Sequence, residues 1–392
     1  MPKIRILILI STGIVMLIFG TIAVMYARGY RLSLGEEQIS LGPTGLLVAN
    51  SEPQAAQVYV NGVLKTATDN TISLAPETYT VEIKKEGYQT WSKDITIQRE
   101  AVTQIDAYLL PNAPSLTALT FSGAINPQIN HDNSKIIYVV PPSEETIANE
   151  KNGLWIIESV NLPLGFNRDP RQITDGDLTE AEFEFSPDGR EVLMTLGPSI
   201  FLLDVTKFTP AIERVVVTFQ VEDIRAQWEE EEKQRLEAKL APLPDEIEET
   251  LAKHTSFVRF SPDENRILYT ASGSATLAED LIDKLPGSST QPEERSITDG
   301  NSYVYDIRED KNFKVSDAGQ TLYWIPNSLN LVHPQEEGIY ILDYDGTNEK
   351  KIFSSSYTYP HAYSTTSGNR LLILTSFASV NGEDNLYWLT LK

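Results

Sequence analysis

Apolar residues follow three rhythms along the chain. The first is an unbroken run, Ile6 to Ala27, of 22 uncharged residues rich in Ile, Leu and Val. As a helix it spans the ~30 Å hydrocarbon core of a bilayer. It is longer than the apolar region of about 7–15 residues in a signal peptide, so the run predicts an uncleaved anchor over 6–27. Gly13 and Gly20 within it are too far apart for a GxxxG contact. The second rhythm is strict alternation. Tyr79, Val81 and Ile83 interleave with Thr80, Glu82 and Lys84, and Ile95/Ile97 and Ile105/Ala107/Leu109 repeat the period of two. The third is a paired strand motif that recurs through the C-terminal two thirds.

Residues 28–44 carry Gly, Pro and mixed charge and are expected to be a juxtamembrane link. Gly45–Ala49 is apolar, and Val58-Tyr59-Val60 runs into Asn61-Gly62, the strongest short hairpin signal because both turn positions need φ > 0. Six or seven short strands over 45–110 predict a small β-sandwich. The stretch resembles a PEGA domain: Ser51-Glu52-Pro53, Ala56, Val58-Tyr59-Val60-Asn61-Gly62, Leu74-Ala75-Pro76 before Tyr79, and Glu86-Gly87-Tyr88. It departs from that pattern at Glu77-Thr78, where a glycine usually follows the proline. It departs again at Lys65-Thr66-Ala67-Thr68, in place of Gly-x-Thr-Pro. The resemblance implies a spacer or binding module of surface and envelope proteins, often beside an anchor, with no known catalytic residues.

Three segments of residues 113–392 share one shape: "PQINHDNSKIIYVV" from Pro127, "EFEFSPDGREVLMTL" from Glu182 and "FVRFSPDENRILYTA" from Phe257. Each is an apolar strand, a Ser/Asn-x-Asp turn and a second apolar strand. A third strand follows, as in Leu154–Glu158, Ile200–Asp204 and Tyr303–Asp306. Weaker copies pair Leu322–Leu331 with Ile339–Asp343, and Tyr363–Leu374 with Leu386–Leu389. Such units cannot bury their own faces and must stack. The Phe-Ser-Pro-Asp-Gly of Phe185–Gly189 resembles TolB-type and WD-repeat-like propellers, with Glu264 replacing the glycine in the Phe260 copy. The expected fold is therefore mainly β: an anchor helix, a PEGA-like sandwich and a propeller of about six blades at about 40 residues each. Five are legible, and a sixth would use Leu116–Ser122.

Residues 219–252 break the β rhythm. Glu229/Lys233 and Glu231/Arg235 are i,i+4 pairs in the favoured order, Pro242 and Pro244 interrupt, and a second short helix starts at Asp245. Eleven acids and four bases fall between 222 and 249. This predicts a helical hairpin, either a solvated pair lying on the propeller or a partner-docking arm centred on Ile224 and Trp228.

Charge and composition narrow the function. A net charge of −23 disfavours nucleic acid, whose phosphates need Lys and Arg, and anionic lipid. There are no cysteines, hence no thiolate chemistry. The four histidines, His131, His254, His333 and His361, are too dispersed for a local metal motif. Asp343, Asp345, Thr347 and Asn348 have calcium-like spacing but lack the distal Glu. The Asp of each Ser-x-Asp turn reads as an Asx cap rather than a ligand. Neither Gly-x-Ser-x-Gly nor a phosphate loop occurs. No catalytic, cofactor or metal residue is expected.

Lys3 and Arg5 precede the apolar run and Arg28 and Arg31 follow it. This slight asymmetry, with a head of residues 1–5, places the amino terminus in the cytoplasm and the body outside a single-pass anchor. The expected function is a non-catalytic cell-envelope protein presenting the PEGA-like module and the propeller to a protein or cell-wall glycan. A structural surface-layer component is the first alternative and an enzyme acting on envelope polysaccharide the second.

Overall fold

The computed structural model of the chain describes residues 2–27, 30–34, 39–148, 150–158, 169–283, 288–317, 320–354, 356–366, 368–377 and 382–392. Arg28 and the side chains of Lys3, Arg5 and Arg31 lie outside the described residues, as does any reading of topology from them. The chain divides into two compact units, Met1–Leu109 with Lys284–Pro292, and Leu110–Asp283 with Glu293–Lys392.

The first unit opens with helix α1 (Pro2–Ala27). Its segment Ile8–Met25 is long and apolar enough to cross a membrane, and none of it is buried; a signal sequence near an N-terminus meets the same test. The stretch expected as a plain link instead pairs Tyr30–Leu34 with Ile39–Pro43, antiparallel. Leu32 and Leu34 alternate with Arg31 and Ser33, a strand period masked by the mixed composition.

Seven strands follow between Gly45 and Tyr108, in two sheets. In one, Gly45–Glu52 lies between Asn70–Leu74 and, in parallel, Val102–Tyr108. In the other, Gln57–Val60 pairs with Val63–Ala67 and Thr78–Lys84, and Trp91–Thr96 completes the order. The hairpin forms at Asn61-Gly62 with φ of 49° and 77°, as a mirror-image turn requires. Leu47, Val58, Val81, Ile83, Trp91 and Ile105 are buried between the sheets. The atypical Thr68 is a core hinge pin: its hydroxyl accepts from Ala56 N at 2.9 Å and pairs with Ser51 Oγ at 2.7 Å. Residues 288–292 also belong to this unit. Thr290 Oγ1 accepts from Thr96 N at 3.1 Å, and Gln291 Nε2 donates to Asp94 O at 2.7 Å.

The second unit contains, among the described residues, five four-stranded antiparallel sheets. They occupy residues 125–175, 182–216, 255–316, 323–353 and 357–390, and are numbered here as blades one to five. Within blade one a short helix, α2 (Glu144–Ala148), lies between the second and third strands. The expected sixth blade does not use Leu116–Ser122. Leu116–Ala118 pairs with the last strand and completes blade five, so the two ends of the unit close on one sheet.

Burial on both faces explains the near-continuous apolar second strands. In blade one, Ile137 and Val139 pack toward blade two, whereas Ile136, Tyr138 and Val140 pack toward blade five. Blades three and four share a cluster of Leu268, Val304, Trp324, Leu331 and Leu342. Blades two and three are bridged by helices α3 (Val221–Leu240) and α4 (Asp245–His254). Val221 and Trp228 pack on Leu193 and Val217 of blade two. Leu240, Leu243, Ile247 and Leu251 pack on Ile267, Tyr269 and Tyr305 of blade three.

The first strands of the blades converge. Arg259 Nη1 donates to His131 O at 3.0 Å, Trp324 Nε1 to Arg259 O at 3.2 Å, and Tyr363 Oη to Pro127 O at 2.7 Å. The rings of Tyr323 and Tyr363 meet edge to face at 5.7 Å.

Candidate functional site

Each first strand ends in a turn built by hydrogen bonding. In blade two, Ser186 Oγ donates to Asp188 Oδ1 at 2.7 Å and accepts from Glu191 N at 2.9 Å, while Asp188 Oδ1 also accepts from Arg190 N at 3.0 Å. Asn130–Ser134 and Ser261–Arg266 repeat the arrangement. These are the Asx caps expected from sequence. Gly189 has φ of 64°, and its replacement Glu264 keeps φ at 58°, a strained region for a side chain with a Cβ.

Because the turns are equivalent, they fix an equivalent position two residues earlier on every first strand. Asn130, Ser186, Ser261 and Ile325, which open these turns, each donate a backbone N–H to the main-chain oxygen of the residue five further on. Two residues before them stand Gln128, Glu184, Arg259 and Tyr323. In blade five, Thr365 accepts from Gly368 N as Ser186 accepts from Gly189 N, which puts Tyr363 at the same position. One layer of the centre is thus amide, carboxylate, guanidinium and two phenols.

Gln128, Glu184 and Arg259 line a cavity of about 440 Å³, whose remaining wall includes Arg225, Trp228 and Glu232 of α3. The helix is tied across the strand ends. Arg225 Nε lies 3.0 Å from Glu184 Oε2, Glu232 Oε1 lies 3.6 Å from His131 Nδ1, and Arg235 Nη1 donates to Pro187 O at 2.8 Å. Lys239 reaches Glu264 at 2.9 Å. Of the two expected helical pairs, Glu231–Arg235 forms at 2.6 Å, and Lys233 pairs with Glu237 at 3.8 Å rather than with Glu229.

Desolvation and the Arg259 guanidinium push the His131 imidazole below its ordinary range, against the pull of Glu232. Desolvation also lowers Arg259, which remains a cation at any physiological pH. A second cavity of about 410 Å³ lies at the starts of the first strands of blades one and two, with His361 on its wall.

The structure places Ile224 and Trp228 differently from a projecting arm. Trp228 is 8% exposed, and both side chains pack in the cluster of Leu193, Val217 and Val221. The apolar edge of α3 is consumed by blade two, because a lone indole stripe on a charged helix is buried most cheaply against the nearest sheet face. Trp228 nonetheless lines the cavity. The residues missed from sequence are Gln128, Glu184 and Arg259. Their signal was the repeat itself: polar side chains at one fixed offset from the turn.

At Asp343–Asn348 the side chains serve the local turn. Asp343 accepts from Asn330 Nδ2 at 2.7 Å and Asn348 Nδ2 at 3.1 Å, and Asp345 Oδ1 accepts from Thr347 Oγ1 at 2.6 Å. Among the described residues, no group of three or more His, Asp or Glu side chains could hold a metal ion.

Comparison with solved structures gives remote likenesses. A TolB-like protein from Agrobacterium tumefaciens shares 13% identity, over 74% of this chain and 75% of that one, with a TM-score of 0.23. The β-propeller domain of Myceliophteria thermophila Cps50 (Swd1) shares 10%, over 67% and 82%, at 0.24. The acylaminoacyl peptidase of Pyrococcus horikoshii shares 16%, over 69% and 38%, at 0.22. No curated protein matches the sequence. The propeller reading therefore rests on the sheet order and the converging first strands. Residues 44–112 match the family model of the PEGA domain, and this part of the chain, with its seven strands and Asn61-Gly62 hairpin, is a PEGA domain.

Proposed function

We propose that the chain is a non-catalytic, membrane-attached binding protein of the cell envelope. In this reading α1 is an uncleaved anchor with its amino terminus in the cytoplasm, and the PEGA domain and propeller lie outside. The binding site is the cavity under α3, and the partner is an envelope protein or a cell-wall glycan. One observation carries the reading: three blades and a helix deliver polar side chains and an indole into one concavity of ligand size. The β-strand scaffold holds that wall rigid, as recognition needs. The exposed edge strand Val215–Val216 of blade two, flanked by Ile212 at 94% and Phe219 at 95% exposure, supports the alternative of a self-associating surface component.

The test is capture by the full-length protein in detergent, using purified cell-wall glycan and solubilised envelope proteins as prey. A Gln128→Trp variant, which fills the cavity, runs beside it. Retention by wild type that Gln128→Trp abolishes supports the cavity. Equal retention by both moves the site elsewhere. Retention of nothing, together with oligomers of the wild type, favours the structural reading.

A further inference from the structure

We infer that the cavity under α3 receives a carboxylate group of its ligand on Arg259. The inference rests on the binding reading above and specifies its chemistry. On this wall Arg225 pairs with Glu184 at 3.0 Å, Glu232 lies 3.6 Å from His131, whose imidazole is held below its ordinary range, and Glu229 is a third carboxylate. Arg259 is different. It has no carboxylate within ion-pair distance among the described residues. Its Nε is buried without a hydrogen-bond partner, and Nη1 is engaged only by the main-chain oxygen of His131. The Phe257 ring lies 4.8 Å from the guanidinium carbon, and the Tyr323 hydroxyl interacts with its charge.

A guanidinium drawn out of water needs hydrogen-bonded anionic partners to offset its desolvation. The carboxylate that it senses, Glu232, lies beyond ion-pair distance and is exposed to solvent. Arg259 lines the cavity, whose volume of about 440 Å³ suits a small ligand. Its planar fork matches carboxylate geometry, for which lysine is a poor substitute. Gln128, on the equivalent position of blade one, supplies amide donors and acceptors to the same space.

The same carboxylate chemistry occurs on an acidic sugar and on a peptide C-terminus, so the probes separate the two. Binding of glucuronate against glucose, and of triglycine against its C-terminal amide, is measured by calorimetry on the full-length protein in detergent. The expected result is that one carboxylate probe binds about tenfold or more tightly than its neutral counterpart. The preference disappears in Arg259→Gln and partly survives in Arg259→Lys, with thermal unfolding checked for both. A sugar-arm preference identifies an acidic glycan, and a peptide-arm preference a chain terminus. The inference is overturned by equal binding within both pairs, by a preference that persists in Arg259→Gln, or by no binding of any probe at about 10 mM. Capture of a partner that Gln128→Trp abolishes, without carboxylate preference, overturns this inference alone and leaves the binding reading standing.

Discussion

Arg235 of α3 donates from Nη1 to the main-chain oxygen of Pro187 at 2.8 Å, so the insertion is latched to the very turn whose Ser-Pro-Asp-Gly sequence announces the repeat. The latch is exposed, and about two helix turns away the buried Trp228 supplies the apolar contact. The two should differ sharply in energetic weight. Trp228→Ala removes a buried indole and is expected to cost about 3 kcal/mol or more. Arg235→Ala should cost less than about 1 kcal/mol. Chemical denaturation of both variants checks this; equal costs would mean that the helix is held by its charges.

The repeat turns make stability acid-sensitive. Burial raises the carboxyls of Asp132, Asp188 and Asp263, but hydrogen bonds from the neighbouring Ser or Asn side chains and backbone N–H groups outweigh it, and all three are held below the usual carboxylate range. A carboxyl depressed in the folded state contributes stability above its unfolded value of about 3.9. That contribution is lost as pH falls through the folded values. Asp188→Asn should therefore flatten the loss of melting temperature below about pH 4. An unchanged acid slope would discount the turns as its origin.

Blade three hides a charge pair that should not tolerate half-removal. Arg295 Nη1 lies 3.0 Å from Asp310 Oδ1, Tyr305 Oη donates to the same oxygen at 2.8 Å, and Asp310 is fully buried. Burial alone would lower the Arg295 guanidinium, but hydrogen bonding and the charge of Asp310 raise it. Asp310→Ala leaves that cation only Glu293, 2.8 Å from its Nε, and is expected to cost about 3 kcal/mol. Thermal unfolding of Asp310→Ala alone and with Arg295→Met separates pairing from packing, because the double variant should recover part of the loss.

Anchor and signal sequence make opposite predictions for α1. An uncleaved anchor leaves the protein in the membrane fraction after a carbonate wash, and intact-mass analysis retains residues 2–27. Removal of the helix should release the remainder to the soluble fraction. A mature mass lacking the helix would identify a signal sequence.

Along the chain, what sequence determined was whatever depends on local period and turn chemistry. The uninterrupted Ile6–Ala27 run specifies a helix of membrane length. Asn61-Gly62 specifies a hairpin because few other residue pairs accept φ of 49° and 77°. Ser186-Pro187-Asp188-Gly189 specifies its own cap, since the groups that satisfy one another lie within five residues. Tertiary structure alone decided what those elements face. Arg259, Gln128 and Glu184 share a cavity only because three blades converge, and no local rule couples positions so distant in sequence. Trp228 on a sparse apolar stripe suits either a docking arm or a packed helix; blade two settles it by offering Leu193 and Val217 as a surface to bury. The make-up of the last sheet escaped for the same reason. Closure depends on which strand completes the last sheet, and the pairing of Leu116–Ala118 with Tyr387–Leu389 is set by hydrogen bonding between the two ends of the propeller, not by a pattern either end carries.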